Sequence, residues 1–273
     1  MSITATNDKA ATLAASALTR LSEALASGNS DELTRYLDVM SRFHRYSFHN
    51  CLLILCQRPE ATQVAGFNRW KELGRWVKKG EKGIAILAPS MRRPRPDELP
   101  EDEDADRKDA PKIVTRFVTV YVFDAEQTEG EPLPTLGKTS GQVGCYLTRL
   151  RDLVREKHIG LAYADNLGGA LGLSHGQAIT ILRGLEPAEE LSVLAHELAH
   201  ELLHRGPRRI ETTRQIREVE AEAVAYVVTQ ACGLENRTAS WDYIRLYGGD
   251  EKLLAQSLTL VQHAACDMLT YIL

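Results

Sequence analysis

The sequence predicts an α+β fold in two parts: a mixed α+β domain over residues 1–135 and a mainly helical domain over 141–273. Three observations predict it. Apolar residues recur at helical spacing near both ends, and short β-branched and aromatic runs lie between them. Gly130, Pro132, Pro134 and Gly137 then cluster where the two parts meet.

Taken in order, Leu13, Leu18, Leu21 and Leu25 fall on one face of a helix over 10–26. Ser30 is a good N-cap for a second helix, with Asp31 and Glu32 in its first turn. An apolar stretch over 48–56 predicts a buried helix stopped near Pro59, and 67–73 a short one. Residues 83–87 read as a strand ended by Pro89, and 113–123 as a second strand rich in Val, Thr, Tyr and Phe. Between them, 91–112 holds Pro94, Pro96, Pro100, Pro111 and a dense acidic run, so a mobile surface loop is expected. Beyond the Gly/Pro cluster come a helix over 141–157, short strands over 161–164 and 178–182, and helices to the end.

The chain has 273 residues, 44% hydrophobic and 26% charged, with a net charge of −4. That balance excludes a uniformly basic nucleic-acid binder but permits a local basic face. Met1 to Lys9 lacks the layout of a secretory signal, and no apolar run approaches the ~18 residues of a membrane span, so a cytoplasmic protein without a membrane partner is expected. Cys51, Cys56, Cys145, Cys232 and Cys266 form no C-x-x-C pair, which fits reduced thiols.

The chemistry concentrates in His196-Glu197-Leu198-Ala199-His200. Pro187 suits a first helical position, Glu189 and Glu190 suit the positive helix start, and Gly206-Pro207 ends the helix. Histidines four apart project from one helix face and can share one Zn2+ as neutral nitrogen donors. Glu197, one step round, reaches an attacking water as general base without ligating the metal. The flanking Leu194, Ala195, Leu198, Ala199, Leu202 and Leu203 make this helix apolar, and buried His and Glu need partners that a metal provides. His204 continues the row, but its position beside Gly206 reads as a histidine favoured at a helix end.

A catalytic zinc needs a third protein ligand and an open position. The next helix offers Glu218 and Glu222 on one face, with Glu220 pointing away. Either acid can approach the metal by periodicity alone, leaving the other to orient a ligand imidazole.

Glu218-Val219-Glu220-Ala221-Glu222 resembles the ligand helix of gluzincin metallopeptidases, in which a ligand Glu is followed by a small residue and then an acid. The resemblance implies Glu218 as ligand and Glu222 as the group behind a histidine. Across 141–235 the chain resembles ImmA/IrrE-type metallopeptidases, which implies that the strand over 178–182 is the edge along which an extended peptide lies.

The first part is locally basic. Over 39–90, Arg42, Arg45, Arg58, Arg69, Lys71, Arg75, Lys78, Lys79 and Lys82 face only Glu60, Glu72 and Glu81, with Phe43, Tyr46, Phe48, Phe67, Trp70 and Trp76 interleaved. Cations that track phosphates and rings on which bases stack are what single-stranded DNA binding requires. The candidate contacts are Arg42, Arg45, Tyr46, Phe48, Arg69, Trp70, Arg75, Trp76, Lys78, Lys79 and Lys82.

The run from Met40 to Asn50, then Gln57-Arg58-Pro59-Glu60-Ala61-Thr62, Gly80-Glu81-Lys82-Gly83, Val122-Phe123-Asp124 and Gln127-Thr128-Glu129-Gly130 resembles the N-terminal domain of ArdC-type antirestriction proteins. That family implies a single-stranded-DNA-binding domain followed by a zincin-like metallopeptidase domain, often carried on mobile elements. The expected function is a zinc metallopeptidase acting on DNA-associated proteins, its protein substrate unnamed. The competing readings are a non-catalytic antirestriction protein with a structural zinc, and a regulatory protease that cleaves a repressor.

Overall fold

The computed structural model describes residues 3–28, 31–92, 113–133, 142–234 and 250–273. From 93 on, the expected acidic loop lies outside the described residues, as do Ser30, residues 134–140 of the expected linker and residue 141.

The first part runs α1 (Ile3–Ala26), α2 (Asp31–Arg42), α3 (Phe48–Gln57), β1 (Val64–Gly66), α4 (Phe67–Glu72), β2 (Arg75–Val77), β3 (Ile84–Arg92), β4 (Ile113–Asp124), a 3₁₀ turn and β5 (Thr128–Gly130). An antiparallel sheet has the order β1-β4-β3, and β2 pairs separately with β5. One sheet face sends Ile84, Ile86 and Val122 into the core, as strand alternation requires.

The edge strand β3 is closed by side chains of α3. Asn50 exchanges two hydrogen bonds with the Leu87 backbone at 2.9 and 2.8 Å, and Gln57 two with Ala85, both at 2.9 Å. Seven residues apart on one helix face, the two amides cover backbone groups that an edge strand otherwise exposes. Pro89, expected to end the strand, lies within it and pairs with Phe117. By alternation its missing N–H falls on the same outer side as Ala85 and Leu87, where no ladder bond is lost.

The second part follows as α5 (Gln142–Glu156), β6 (Gly160–Ala164), β7 (Gly172–Ser174), β8 (Ala178–Leu182), α6 (Pro187–Leu203), α7 (Pro207–Glu211), α8 (Arg214–Ala231) and α9 (Glu251–Ile272). Its sheet has the order β6-β8-β7, with β6 parallel and β7 antiparallel to β8. This corrects one expectation: β8 is central, and its neighbours β6 and β7 are the two edges. The segment around β7, Gly168-Gly169-Ala170-Leu171-Gly172, is too glycine-rich to read as a strand.

The buried core is continuous across both parts. It runs from Leu21 and Leu37 through Leu52 to Leu194, Val224, Leu258 and Ile272, with α2 packed on α8 and α9 packed on α1, α3 and α5. The Tyr226 hydroxyl donates to Asp38 at 2.7 Å, and the Gln262 amide donates to the His44 carbonyl at 2.6 Å. All five cysteines are free thiols, and among the described residues no helix is long and apolar enough to cross a membrane.

Candidate metal centre

α6 is a helix because Pro187 and the acids of its first turn start it and an apolar face buries it: Leu191, Leu194, Ala195, Leu198 and Ala199 have no solvent exposure. α8 crosses it with Ala221, Ala223 and Ala225, small enough for the two helices to approach closely. Between them His196 Nε2 and His200 Nε2 stand 3.1 Å apart, and Glu218 Oε2 lies 3.7 Å from each. Two donors on a tetrahedral ion, each ~2.0–2.1 Å from it, stand about 3.3 Å apart, so the triad has the spacing and chemistry to hold one metal ion. Glu222 Oε2 lies 3.3 Å from His196 Nδ1, on the other side of that ring.

A second chain of contacts stands behind His200. Arg208 donates to both carboxylate oxygens of Glu220 at 2.6 Å, and Glu220 Oε2 faces His204 Nε2 at 2.9 Å. His204 Nδ1 in turn faces His200 Nδ1 at 3.1 Å. A carboxylate only accepts, so His204 donates through Nε2 and accepts through Nδ1. His200 therefore donates through Nδ1 and turns the lone pair of Nε2 toward the triad. Sequence reasoning set both His204 and Glu220 aside. Glu220 does point away from the triad, as expected, but into a buried partner instead of solvent.

The charges follow from this packing. Burial alone lowers the pKa of His196, but the carboxylates of Glu218, Glu222 and Glu197 outweigh it and hold the imidazole at about 9. Burial, joined by the neighbouring His196 charge, takes His200 down to about 4. The hydrogen bond from His196 carries Glu218 down to about 2. Burial raises Glu197 above the ordinary carboxylate value.

Two further carboxylates of α6 position the walls. Glu190 is buried and accepts from Arg151 of α5 and Tyr163 of β6, both at 2.6 Å. Glu201 accepts from the Ser174 hydroxyl and from the Gly176 and Gln177 backbone at 2.5, 2.8 and 2.7 Å, which pins the β7–β8 turn. β7 thereby lies against Glu197, to which Ser174 gives a backbone hydrogen bond. At Gly172 a Cβ would stand 2.7 Å from the Glu197 Cγ, so only glycine lets the strand come this close. These anchors carried no motif signal in the sequence.

The structure sorts the candidate DNA contacts. Phe48 and Trp70 are each 2% exposed, and the Trp70 indole donates to the Phe123 carbonyl, so neither ring is available for stacking. Their apolar bulk outweighed the basic context that suggested a surface role. Arg42 donates to the Ala61 and Pro59 carbonyls, and Arg75 to Thr128 and Glu131, so both guanidinium groups tie loops down. Tyr46 is half-buried, with its hydroxyl on the Val64 carbonyl. Arg69 is exposed and pairs with Glu72. Arg45, Lys78, Lys79 and Lys82 are exposed, and Trp76 is 53% exposed. Phe67, Phe117 and Tyr121 are also exposed, and the sequence reading did not select them as contacts. Lys79, Lys82 and Tyr121 line one groove of about 700 Å³ beside Leu13 of α1.

Comparison with known families now bears on both parts. Residues 15–123 match the N-terminal domain of anti-restriction factor ArdC, and residues 156–239 match the IrrE N-terminal-like domain. The first part is thus similar to the ArdC N-terminal domain and the second to the IrrE-like domain. An uncharacterized protein of Bacillus anthracis is 26% identical over an alignment 253 residues long, which covers 78% of this chain and 42% of that protein. Crystal structures of the antirestriction ArdC protein from the R388 plasmid are also similar. The metal-free form is 17% identical with a TM-score of 0.49 over 82% of this chain and 84% of that one. The Mn(II)-bound form is 18% identical with a TM-score of 0.47 over 87% and 97%.

Within the ArdC-type part, the motif residues turn out to be scaffold. Asn50 and Gln57 close the β3 edge. Asp124 is fully buried and accepts from the Thr62 and Gln63 backbone, while Gln127 bonds Glu81, the Lys82 carbonyl and the Asp124 N–H.

Proposed function

We propose that this chain is a zinc-dependent metallopeptidase joined to a single-stranded-DNA-binding domain, acting in an antirestriction setting on proteins associated with DNA. The observation that carries the reading is the convergence of His196, His200 and Glu218 at metal-binding spacing, with the buried Glu197 beside them and an edge strand alongside. His196, His200 and Glu218 are the ligands, Glu197 the general base, and Glu222 the group that orients His196.

Metal in the triad would supply Lewis-acid polarisation of the scissile carbonyl and acidify the attacking water. Glu197 takes the proton of that water, and its raised pKa suits a group that must both accept the proton and pass it to the leaving amide nitrogen. β7 orients the substrate. The Leu171 carbonyl and the His175 N–H bond to β8, so by alternation the backbone groups of Gly172 and the Ser174 carbonyl face outward toward an extended peptide, while the Ser174 N–H is held by Glu197.

Residues 1–135 and 141–273 act as the two functional domains of a cytoplasmic protein. The DNA face is drawn by Arg45, Trp76, Lys79 and Lys82, which are exposed toward phosphates and bases, with Arg69 and Lys78 beside them, the first paired with Glu72 and the second bonded to the Glu126 carbonyl. Elemental analysis of the purified chain, with a protease assay on DNA-bound proteins in the presence and absence of single-stranded DNA, tests the whole reading. A chain that carries metal but cleaves nothing under either condition would leave the metal a structural role.

A further inference from the structure

The wall opposite β7 is cationic. The cleft over the triad encloses about 410 Å³, and Arg209, Arg214 and Arg217 line it against the carboxylates of Glu197 and Glu218. These arginines differ in what they already hold. Arg217 donates to the carbonyls of Arg209 and Thr212, which fixes the turn between α7 and α8. Arg214 is highly exposed, with only a 3.8 Å approach to Glu218. Arg209 is exposed and lines the cleft. Once Glu218 and a dipositive ion are engaged with each other, Arg209 and Arg214 remain as positive charge beside the reacting centre.

We infer that this cleft selects peptides carrying Asp or Glu next to the scissile bond, and that Arg209 and Arg214 are the residues that read those side chains. The inference rests on the hydrolase reading above and adds the substrate class. Guanidinium groups pair carboxylates through two parallel hydrogen bonds, and Arg209 and Arg214 set positive charge along one wall of the cleft. Phosphates would answer the same charge. The cleft lining, however, contains no Phe, Tyr or Trp on which a base could stack. It does contain an outward-facing strand edge, which an extended peptide can pair and a nucleic-acid backbone cannot.

The test uses the full zinc-loaded chain and two fluorogenic decapeptides that differ only in Asp and Glu replaced by Asn and Gln. The readout is the ratio of kcat/KM for the acidic over the neutral peptide. The expected ratio is about tenfold, falling to one or below in the Arg209→Glu/Arg214→Glu double variant. The milder Arg209→Gln/Arg214→Gln pair, with metal content measured alongside, covers any failure of the charge reversal to fold. Equal cleavage of both peptides by the unaltered chain overturns the inference and leaves the hydrolase reading standing. If neither peptide is cleaved, binding to metal-loaded Glu197→Gln is followed by fluorescence anisotropy. Preferential binding of the acidic peptide then upholds the cleft specificity while the hydrolase reading fails. Displacement of that peptide by oligothymidylate, lost together in the arginine variants, would reassign these groups to phosphate and overturn the inference.

Discussion

Glu220 and His204 meet at 2.9 Å with both side chains essentially out of solvent, one helix turn behind a candidate metal ligand. Sequence periodicity sends Glu220 away from the triad and gives it no task there. The structure revises this: Glu220→Ala strands a buried imidazole and Arg208, and breaking such a buried pair costs on the order of 3 kcal/mol. Chemical denaturation measures that loss. His204→Phe removes the acceptor that orients His200, and metal affinity should fall ~10–100-fold in a competition titration with a chromophoric chelator. Full affinity in a folded His204 variant would show that His200 is oriented by packing alone.

Glu197→Gln should retain metal and lose roughly 10²–10⁴-fold in hydrolysis, because the amide cannot take a proton from water. Turnover and metal content measured on one sample decide this. Undiminished turnover in a loaded variant would move the base elsewhere.

Metal binding near pH 7 should release about one proton. His196, held at about 9, is protonated in the metal-free chain and must become neutral to donate, whereas His200, at about 4, is already neutral. Affinity should therefore rise with pH until about 9 and level off above it. In the metal-free chain the sign reverses: the His196 proton stabilises the fold below the ordinary histidine value, a contribution lost as pH climbs through about 9. Calorimetric titration in buffers of different ionisation enthalpy counts the protons; a count near zero contradicts the assignment.

Gly172→Ala places a methyl group 2.7 Å from both the Glu197 and Val193 side chains. Either β7 retreats or the carboxylate turns. The expected result is ~1–3 kcal/mol of lost stability, as for other overpacked sites, with hydrolysis impaired beyond the loss of folded protein. Activity per folded molecule separates the two effects.

Trp76 and Trp70 should behave oppositely. Trp76→Ala leaves stability nearly unchanged and weakens single-stranded DNA binding by ~1–3 kcal/mol, read by anisotropy at fixed salt. Trp70→Ala costs ~3–5 kcal/mol of stability by emptying a core site. Unchanged DNA affinity in Trp76→Ala would shift the stacking surface to Tyr121 and Phe117.

Local periodicity carried much of the architecture. The helices bearing His196 and Glu218 are legible because apolar spacing, a proline start and small residues act within one turn of each other. β7 is not legible, since three residues within a glycine-rich run have no period to detect. Nor are the tasks of Glu190, Glu201 and Glu220 readable from their positions on α6 and α8. Each is defined by a partner at least 12 residues away, and local pattern holds no information about distant partners. The rings failed for a related reason: Trp70 and Trp76 look alike in a basic stretch, and only the fold decides which one it buries.

The hydroxyl of Tyr226 resting on Asp38 has a mechanical meaning. It ties the helix that carries Glu218 to the second helix of the other half, inside one uninterrupted apolar interior. Neither half can loosen without exposing surface that belongs to its neighbour. Any ligand held by the first half thus raises the free-energy cost of opening the second, and heating should melt the molecule in one step whose midpoint climbs with either DNA or metal.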